Sequence, residues 1–492
     1  MRTFRNPVLP GNYPDPSVCR VGADFYLVTS SFAYYPGIPL FHSRDLVGWR
    51  QLTHVLDRPE QLPLAGLDVS DGIWAPTIRH HDGTFYVVAT LARNRRGSRT
   101  FVVTADDPAG PWSDPVTLEA DGIDPSLFFD DDGRCWFTGC RDAVSGGPGE
   151  LWLRELDLAR LKLVGPTHVL WQGAVRGAWV EAPHLYKHEG RYHLIAAEGG
   201  TERNHSVTAA RADAVTGPYA TDPRSPLLTH RHRGPDEPVH NVGHADLVTT
   251  PDGETWAVTL GVRPVEGTHT LGREVFLVPV VWGPHGPVFA PESGGVRMVE
   301  RLPSVATGQS TDGSAPGLEW NSLRGPVDIR PSPNGFDIGL TPEPLSSTGV
   351  PAFVGRRQQH LRCVVRARIG FTAGHPAEEA GLAVFQNQDH HATLARTMDH
   401  VVLTVREAGV DTRVAATPVT AAEVVLTVEA DEAGYTFRVG ETTLGAIERS
   451  FFSTERAGGF VGVYLGLYAT SNGRPSGGRA HVHRFEYEHS SR

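Results

Sequence analysis

Three carboxylates stand at matched places in a repeating sequence. They are Asp15 in Asn12-Tyr13-Pro14-Asp15-Pro16-Ser17, Asp124 in Gly122-Ile123-Asp124-Pro125-Ser126, and Glu181 in Trp179-Val180-Glu181-Ala182-Pro183-His184. A single Asp-Pro dipeptide is a common turn former at the start of a strand. Three acids brought to one cavity differ, because like charges in a partly desolvated site raise one another's pKa and are costly unless they serve chemistry. Glycoside hydrolysis uses such a set: one protonated carboxyl gives its proton to the leaving oxygen, and an ionised one activates water or attacks the sugar. No competing constellation is present, since the chain has no Gly-x-Ser-x-Gly, His-Glu-x-x-His or Walker loop. Asp130-Asp131-Asp132-Gly133 lacks the spacing of a calcium loop and reads as a hairpin turn.

The elements that must position these acids form a fivefold repeat. Anchors at Asp15-Pro16-Ser17-Val18, Ala75-Pro76-Thr77-Ile78, Asp124-Pro125-Ser126-Leu127, Ala182-Pro183-His184-Leu185 and His244-Ala245-Asp246-Leu247 are each followed by a second apolar run. Those runs are Phe25-Val28, Phe85-Val88, Cys135-Thr138, Tyr192-Ile195 and Thr255-Val258. Asp82-Gly83, Asp132-Gly133, Glu189-Gly190 and Asp252-Gly253 lie between them as hairpin turns whose glycine supplies positive φ. Anchor spacings of 60, 49, 58 and 62 residues are blade-sized and predict a five-bladed β-propeller. The innermost strand of each blade starts near the axis, so the residues just before each anchor proline are expected to face one central cavity.

The length of 492 residues calls for more than one core. The repeat covers 1–303, with Glu274-Val278 expected to close the pattern; 304–317 reads as a linker, and 318–492 as a second domain. Runs such as Leu361-Ala367, Val424-Val428 and Tyr435-Val439 alternate with polar turns, which predicts an antiparallel, jelly-roll-like β-sandwich and an all-β chain. Leu151-Leu161 fits strand or helix by pattern, and the register of the third blade favours a strand followed by a turn.

A net charge of −11 without a basic stripe argues against nucleic acid or anionic lipid as a partner. No window approaches the roughly 18 apolar residues of a membrane helix, and Met1-Pro7 carries no apolar leader, so a cytoplasmic protein is expected. Cys19, Cys135, Cys140 and Cys363 make neither a disulfide framework nor a zinc motif. Cys135 and Cys140 fall on one strand run, point to opposite faces and read as small buried hydrophobes.

Taken together, Asn12-Ser17, Gly72-Ile73-Trp74-Ala75-Pro76, Ile123-Ser126, Glu181-Ala182-Pro183-His184-Leu185-Tyr186-Lys187 and Gly243-Leu247 resemble glycoside hydrolase family 43, in its β-xylosidase and α-L-arabinofuranosidase branch. Gly355-Arg356-Arg357-Gln358-Gln359-His360 and Glu379-Ala380-Gly381-Leu382 resemble that branch's C-terminal β-sandwich, so the similarity covers nearly the whole chain. The resemblance implies inversion, with Asp15 as general base, Glu181 as general acid, and Asp124 orienting the acid and raising its pKa. Base and acid would then lie about 6.5–9.5 Å apart. It further implies that His244 is the family's central histidine, that Arg273 binds sugar hydroxyls, and that Phe32 and Trp74 wall the terminal sugar. No cofactor is required for turnover on this reading; some members hold calcium near the axis, which would place a structural ion near His244. Homo-oligomers are common in the family, and no feature of this sequence specifies one.

The chain departs from the closest xylosidase pattern at Asp71 and Ala182, where glycine is usual. Both are expected beside the pocket and bear on the choice between xylopyranosyl and arabinofuranosyl substrates, which the residues leave open. Two alternatives stand beside the exo-pentosidase acting on xylo- or arabino-oligosaccharides. A non-catalytic sugar-binding propeller would keep Phe32, Trp74 and Arg273 without needing all three acids. A furanosidase or transferase of a related five-bladed family would retain configuration, with carboxyls only about 5–5.5 Å apart.

Overall fold

Period-two apolar runs joined by tight glycine turns dictate hairpins. In the computed structural model, which describes residues 2–93, 97–144, 147, 149–175, 179–305 and 317–490, they form five successive antiparallel sheets. The innermost strands are Ser17–Val21, Gly72–His81, Ile123–Phe129, Val180–His188 and His240–Thr249. Each pairs with the strand that carries the expected second run: Asp24–Val28, Thr84–Ala92, Cys135–Arg141, Arg191–Glu198 and Thr255–Val262. Asp82 and Gly83 have φ of 48° and 83°, and Glu189 and Gly190 of 48° and 76°, the pair of left-handed residues that a type I′ turn needs.

The propeller closes through the start of the chain. Thr3–Arg5 pairs with Val299–Arg301, and the Asn6 side-chain amide donates to the carbonyls of Leu277 and Arg297 at 3.1 and 2.9 Å. Glu274-Val278 follows the fifth repeat as a strand, as expected, within the third strand of the fifth blade, Glu274–Gly283, and Gly286–Phe289 completes that blade. The ambiguous segment forms a strand, Glu150–Asp157, and then a turn, as its register predicts. Cys135 packs into the apolar core with Val88 and Val102 of the second blade, and Cys140 into the core with Val180 and Leu194 of the fourth. Opposite faces of one strand thus serve the two neighbouring blades.

The second domain is a sandwich of an eight-stranded and a seven-stranded sheet. Val365, Ile369, Leu382, Leu394, Leu426 and Phe437 fill the space between them. Most of the expected linker, residues 306–316, lies outside the described residues. The eight-stranded sheet does not end within the second domain. Its strand Asn321–Leu323 pairs with Tyr34–Tyr35, which comes from the first blade. A shared apolar cluster seals this seam: Phe32, Tyr34 and Val69 of the propeller pack with Phe353, Phe385 and Tyr464 of the sandwich. The rings of Tyr34 and Tyr464 stack with centroids 3.8 Å apart. Arg357 of the sandwich donates to the Asn12 carbonyl at 2.7 Å, three residues from Asp15.

Candidate active site

The same backbone device recurs at the head of all five inner strands. Asp15, Ala75, Asp124, Ala182 and His244 have φ of 56°, 35°, 52°, 52° and 49°, a left-handed conformation that costs non-glycine residues energy. Ladder irregularities lie at Trp74/Thr77, Ile123/Ser126, Glu181/His184 and Gly243/Ala245. Such bulges re-aim side chains at the rim of a sheet. Here they turn successive residues, Trp74 with Ala75 and Ile123 with Asp124, toward one central pocket of about 260 Å³. All seven expected residues line it: Asp15, Asp124, Glu181, Phe32, Trp74, His244 and Arg273.

One detail of the expected symmetry is corrected. Glu181 does not occupy the repeat position of Asp15 and Asp124; Ala182 does, and Glu181 stands one residue earlier, equivalent to Trp74 and Ile123. The bulge brings it into the pocket all the same. Asp71 does not line the pocket, and Ala182 bears on it through its backbone N–H, which donates to Asp124 Oδ2 at 3.1 Å.

The acids are held in different electrostatic states. Burial pushes Asp15 up, but Arg273, His244 and the Ser30 hydroxyl outweigh burial and hold it below the usual carboxylate range. Arg273 Nη1 donates to Asp15 Oδ1 at 2.7 Å, Ser30 Oγ donates to Oδ2 at 2.6 Å, and His244 Nδ1 lies 3.5 Å from Oδ1. Burial and the charges of Glu181 and Asp15 hold Asp124 well above the usual range. The pocket thus has a bare carboxylate at the Asp15 end and keeps a proton where Asp124 meets Glu181, a proton that belongs to the interacting pair. Burial lowers the His244 pKa and favours its neutral imidazole.

Two residues beyond the left-handed position, a second polar layer ties the blades together. Asp246 Oδ2 accepts from Ser17 Oγ at 2.7 Å, the Val18 N–H at 3.0 Å and Arg79 Nη1 at 2.8 Å. Its Oδ1 accepts from Arg79 Nη2 at 3.1 Å and Tyr186 Oη at 2.6 Å. His184 Nδ1 lies 3.1 Å from Arg79 Nη2 and 2.9 Å from Ser126 Oγ. All five blades contribute to this network, which forms a rigid polar layer next to the acids.

Residues that the anchors do not mark complete the pocket. Phe460 comes from the sandwich and meets Trp74 edge-on, with centroids 5.7 Å apart. Its N–H donates to Ser70 Oγ at 2.9 Å, and the Arg273 guanidinium lies 5.8 and 5.9 Å from the ring centres of Phe32 and Phe460. Arg273 Nε is buried without a protein acceptor. His205 also lines the pocket, held through Nδ1 near the Asn241 carbonyl at 3.1 Å, with its pKa lowered to about 3 by burial. A Cβ at Gly243 would stand 2.6 Å from the His205 ring, so the glycine before His244 is required by that contact. The signal for His205 is the Gly199-Gly200 pair six and five residues before it, which makes the tight loop that carries it inward: Gly199 has φ of 99°, and a Cβ there would meet the Asn204 carbonyl at 2.2 Å. Phe460 has no such local signal, because its place depends on docking of the second domain.

The donors around His244 do not make a protein-built calcium site. Calcium takes six to eight oxygens, and no group of three or more His, Cys, Asp or Glu side chains among the described residues is arranged to hold an ion.

Paired acids in opposite ionisation states, an arginine on one of them and aromatic walls define a glycoside hydrolase site on a propeller. Residues 4–288 match the model of glycosyl hydrolases family 43, and residues 312–488 match the β-xylosidase C-terminal concanavalin A-like domain. The chain belongs to glycoside hydrolase family 43. It is 41% identical to a xylosidase/arabinosidase of Butyrivibrio fibrisolvens, with 96% of each chain covered. It is 37% identical to a non-reducing end α-L-arabinofuranosidase of Bacteroides ovatus, covering 99% of this chain and 95% of that one. Among solved structures, a xylan β-1,4-xylosidase of Bacillus halodurans superposes with a TM-score of 0.90 at 32% identity, covering 99% of this chain and 100% of that one.

Proposed function

We propose that this glycoside hydrolase removes terminal β-D-xylosyl or α-L-arabinofuranosyl units from xylo- and arabino-oligosaccharides with inversion. The observation that carries the reading is the convergence of all three acids, Arg273 and the aromatic pair Phe32 and Trp74 on one small pocket narrowed by Phe460. A pocket closed on that side by the second domain suits one terminal sugar and not the middle of a chain. The names of the two relatives cover both pentoses and support the substrate class.

In the mechanism, Asp15 is the base. Arg273 and Ser30 keep it ionised, and it takes a proton from a water that attacks the anomeric carbon. Glu181 is the acid and delivers a proton to the leaving oxygen. Burial and the charges of Glu181 and Asp15 hold Asp124 well above the usual carboxylate range, so the Asp124–Glu181 pair keeps a proton after Asp15 has lost its own. Arg273 and His244 orient the sugar and the base, and Phe32 and Trp74 contact the apolar faces of the ring. Four free, buried cysteines accord with work inside the cell on imported oligosaccharides, which fractionation tests.

The test is p-nitrophenol release from β-D-xylopyranoside and α-L-arabinofuranoside by wild type, Asp15→Ala and Glu181→Ala. Turnover of either, reduced at least about a thousandfold in both variants with folding intact, supports the assignment. No turnover of either by the folded wild type overturns it. NMR of the first-formed anomer separates inversion from retention.

A further inference from the structure

Phe460 stands on an exposed tip of the sandwich. It follows Gly458 and Gly459, whose φ of 74° and 83° are left-handed, and it is itself 39% exposed. Glycine gives up more conformational freedom on ordering than any other residue, so a side chain carried on such a tip needs an outside hold to keep one position. A single propeller residue supplies that hold. Ser70 Oγ accepts the Phe460 N–H at 2.9 Å, and the tip packs so closely that a Cβ on Gly459 would lie 2.5 Å from the same oxygen.

Ser70 also grips the neighbouring wall of the pocket. Its carbonyl accepts from Trp74 Nε1 at 2.8 Å. One residue therefore takes the indole of Trp74 through its backbone and the main chain of Phe460 through its side chain, and the two rings meet at an interplanar angle of 78°.

The chain before Ser70 is fastened residue by residue, mostly by the sandwich. Gly66 N donates to the Thr348 carbonyl at 2.7 Å, and Arg324 Nε donates to the Leu67 carbonyl at 2.6 Å. Gln388 Nε2 donates to Asp68 Oδ1 at 3.2 Å, and its Oε1 accepts the Val69 N–H at 3.4 Å. The Val69 carbonyl accepts from Ala33 N of the first blade at 3.3 Å. Ser70 is thus a fixed acceptor set against a pliant loop.

We propose that Ser70 is a positioning residue for the terminal sugar. It does not line the pocket; its hydroxyl latches the Phe460 tip beside Trp74 and so presets the aromatic wall that the sugar meets. The proposal deepens the exo-glycosidase reading above and rests on it. A wall set in advance spares the substrate the cost of ordering it, and its contact with the ring is made in the ground state and the transition state alike, so the effect falls on KM and not on kcat.

The test has two readouts. In the first, KM and kcat for the p-nitrophenyl pentoside are measured in wild type, Ser70→Ala, Phe460→Ala and the double variant. Loss of the latch raises KM about two- to fivefold in Ser70→Ala with kcat retained, and causes no further rise once Phe460 is gone. An unchanged KM in Ser70→Ala, or the same rise in both backgrounds, overturns the proposal. The second readout is amide hydrogen exchange at Phe460, which needs neither substrate nor a variant. In the wild type this exposed amide exchanges at least about threefold more slowly than an unstructured one, and the protection disappears in Ser70→Ala. Exchange at the unstructured rate in the wild type overturns the latch. A folded wild type inactive on every pentoside overturns the functional reading instead, and the exchange rate separates that outcome from failure of the latch.

Discussion

Asp124 and Asp246 both lie buried beside the propeller axis, on neighbouring layers of the same repeat, yet they are held in opposite states. Asp246 accepts five hydrogen bonds from four residues on three blades, and Arg79 carries its neutralising charge. Burial alone would raise it, but Arg79, His184 and Tyr186 hold it far below the usual carboxylate range. Asp124 takes the Ala182 amide at 3.1 Å and otherwise meets the like charges of Glu181 and Asp15, so the same burial drives it up. The comparison separates two uses of a buried acid. One is saturated with donors and fastens the blades, while the other is left short of donors and keeps a proton available for chemistry.

The largest expected break in this contrast is Asp246→Asn. It leaves Arg79 buried without a countercharge and should cost about 3–5 kcal/mol in urea denaturation. Asp246 has a folded pKa below its unfolded one. Its stabilisation is therefore present above the ordinary carboxylate range and is lost as pH falls through the depressed value, so the deficit of the variant should shrink in acid.

Next comes Arg273→Met, which removes a charged hydrogen bond from Asp15. It should lower kcat/KM at least about tenfold. Asp15 then rises toward the value that burial favours, so the acid limb of the kcat/KM profile should move to higher pH.

A smaller effect, of opposite sign on stability, is expected for Asp124→Asn. The folded pKa of Asp124 lies above its unfolded one, so its favourable contribution is complete below the unfolded pKa and is lost as pH rises through the folded value. The amide should lose activity while matching or exceeding wild-type stability at neutral pH, with the difference absent in acid. Denaturation at pH 4 and pH 8 checks it, and an equal deficit at both would place Asp124 with Asp246. The smallest effect is that of Phe460→Ala, where loss of one aromatic contact should raise KM by about two- to tenfold, equivalent to roughly 0.5–1.5 kcal/mol.

The propeller was legible because its rules are local: alternating runs, glycine turns and a recurring anchor repeat five times, and the three acids could be read against that frame. The off-by-one at Glu181 arose because Asp-Pro and Glu-Ala-Pro look alike as anchors, while only the backbone tells that Ala182, and not Glu181, is the left-handed residue. Closure by Thr3–Arg5 was hidden for a related reason, since three residues carry too little pattern to reveal a partner almost 300 positions away. The contribution of Phe460 depends on how two domains dock, which no periodicity encodes. Asp246 was visible as part of an anchor, but its role emerges only when five blades bring Ser17, Arg79, Ser126, His184 and Tyr186 around it.

The strand Tyr34–Tyr35, the terminal strand of the sandwich's larger sheet, follows Phe32 by two residues. The two domains look like separate modules in the gene, yet a recombination event at their junction would hand the first blade a foreign edge to pair with and take away the neighbour of Phe32. A two-residue strand thus makes the aromatic wall of the pocket answerable to the presence of the second domain.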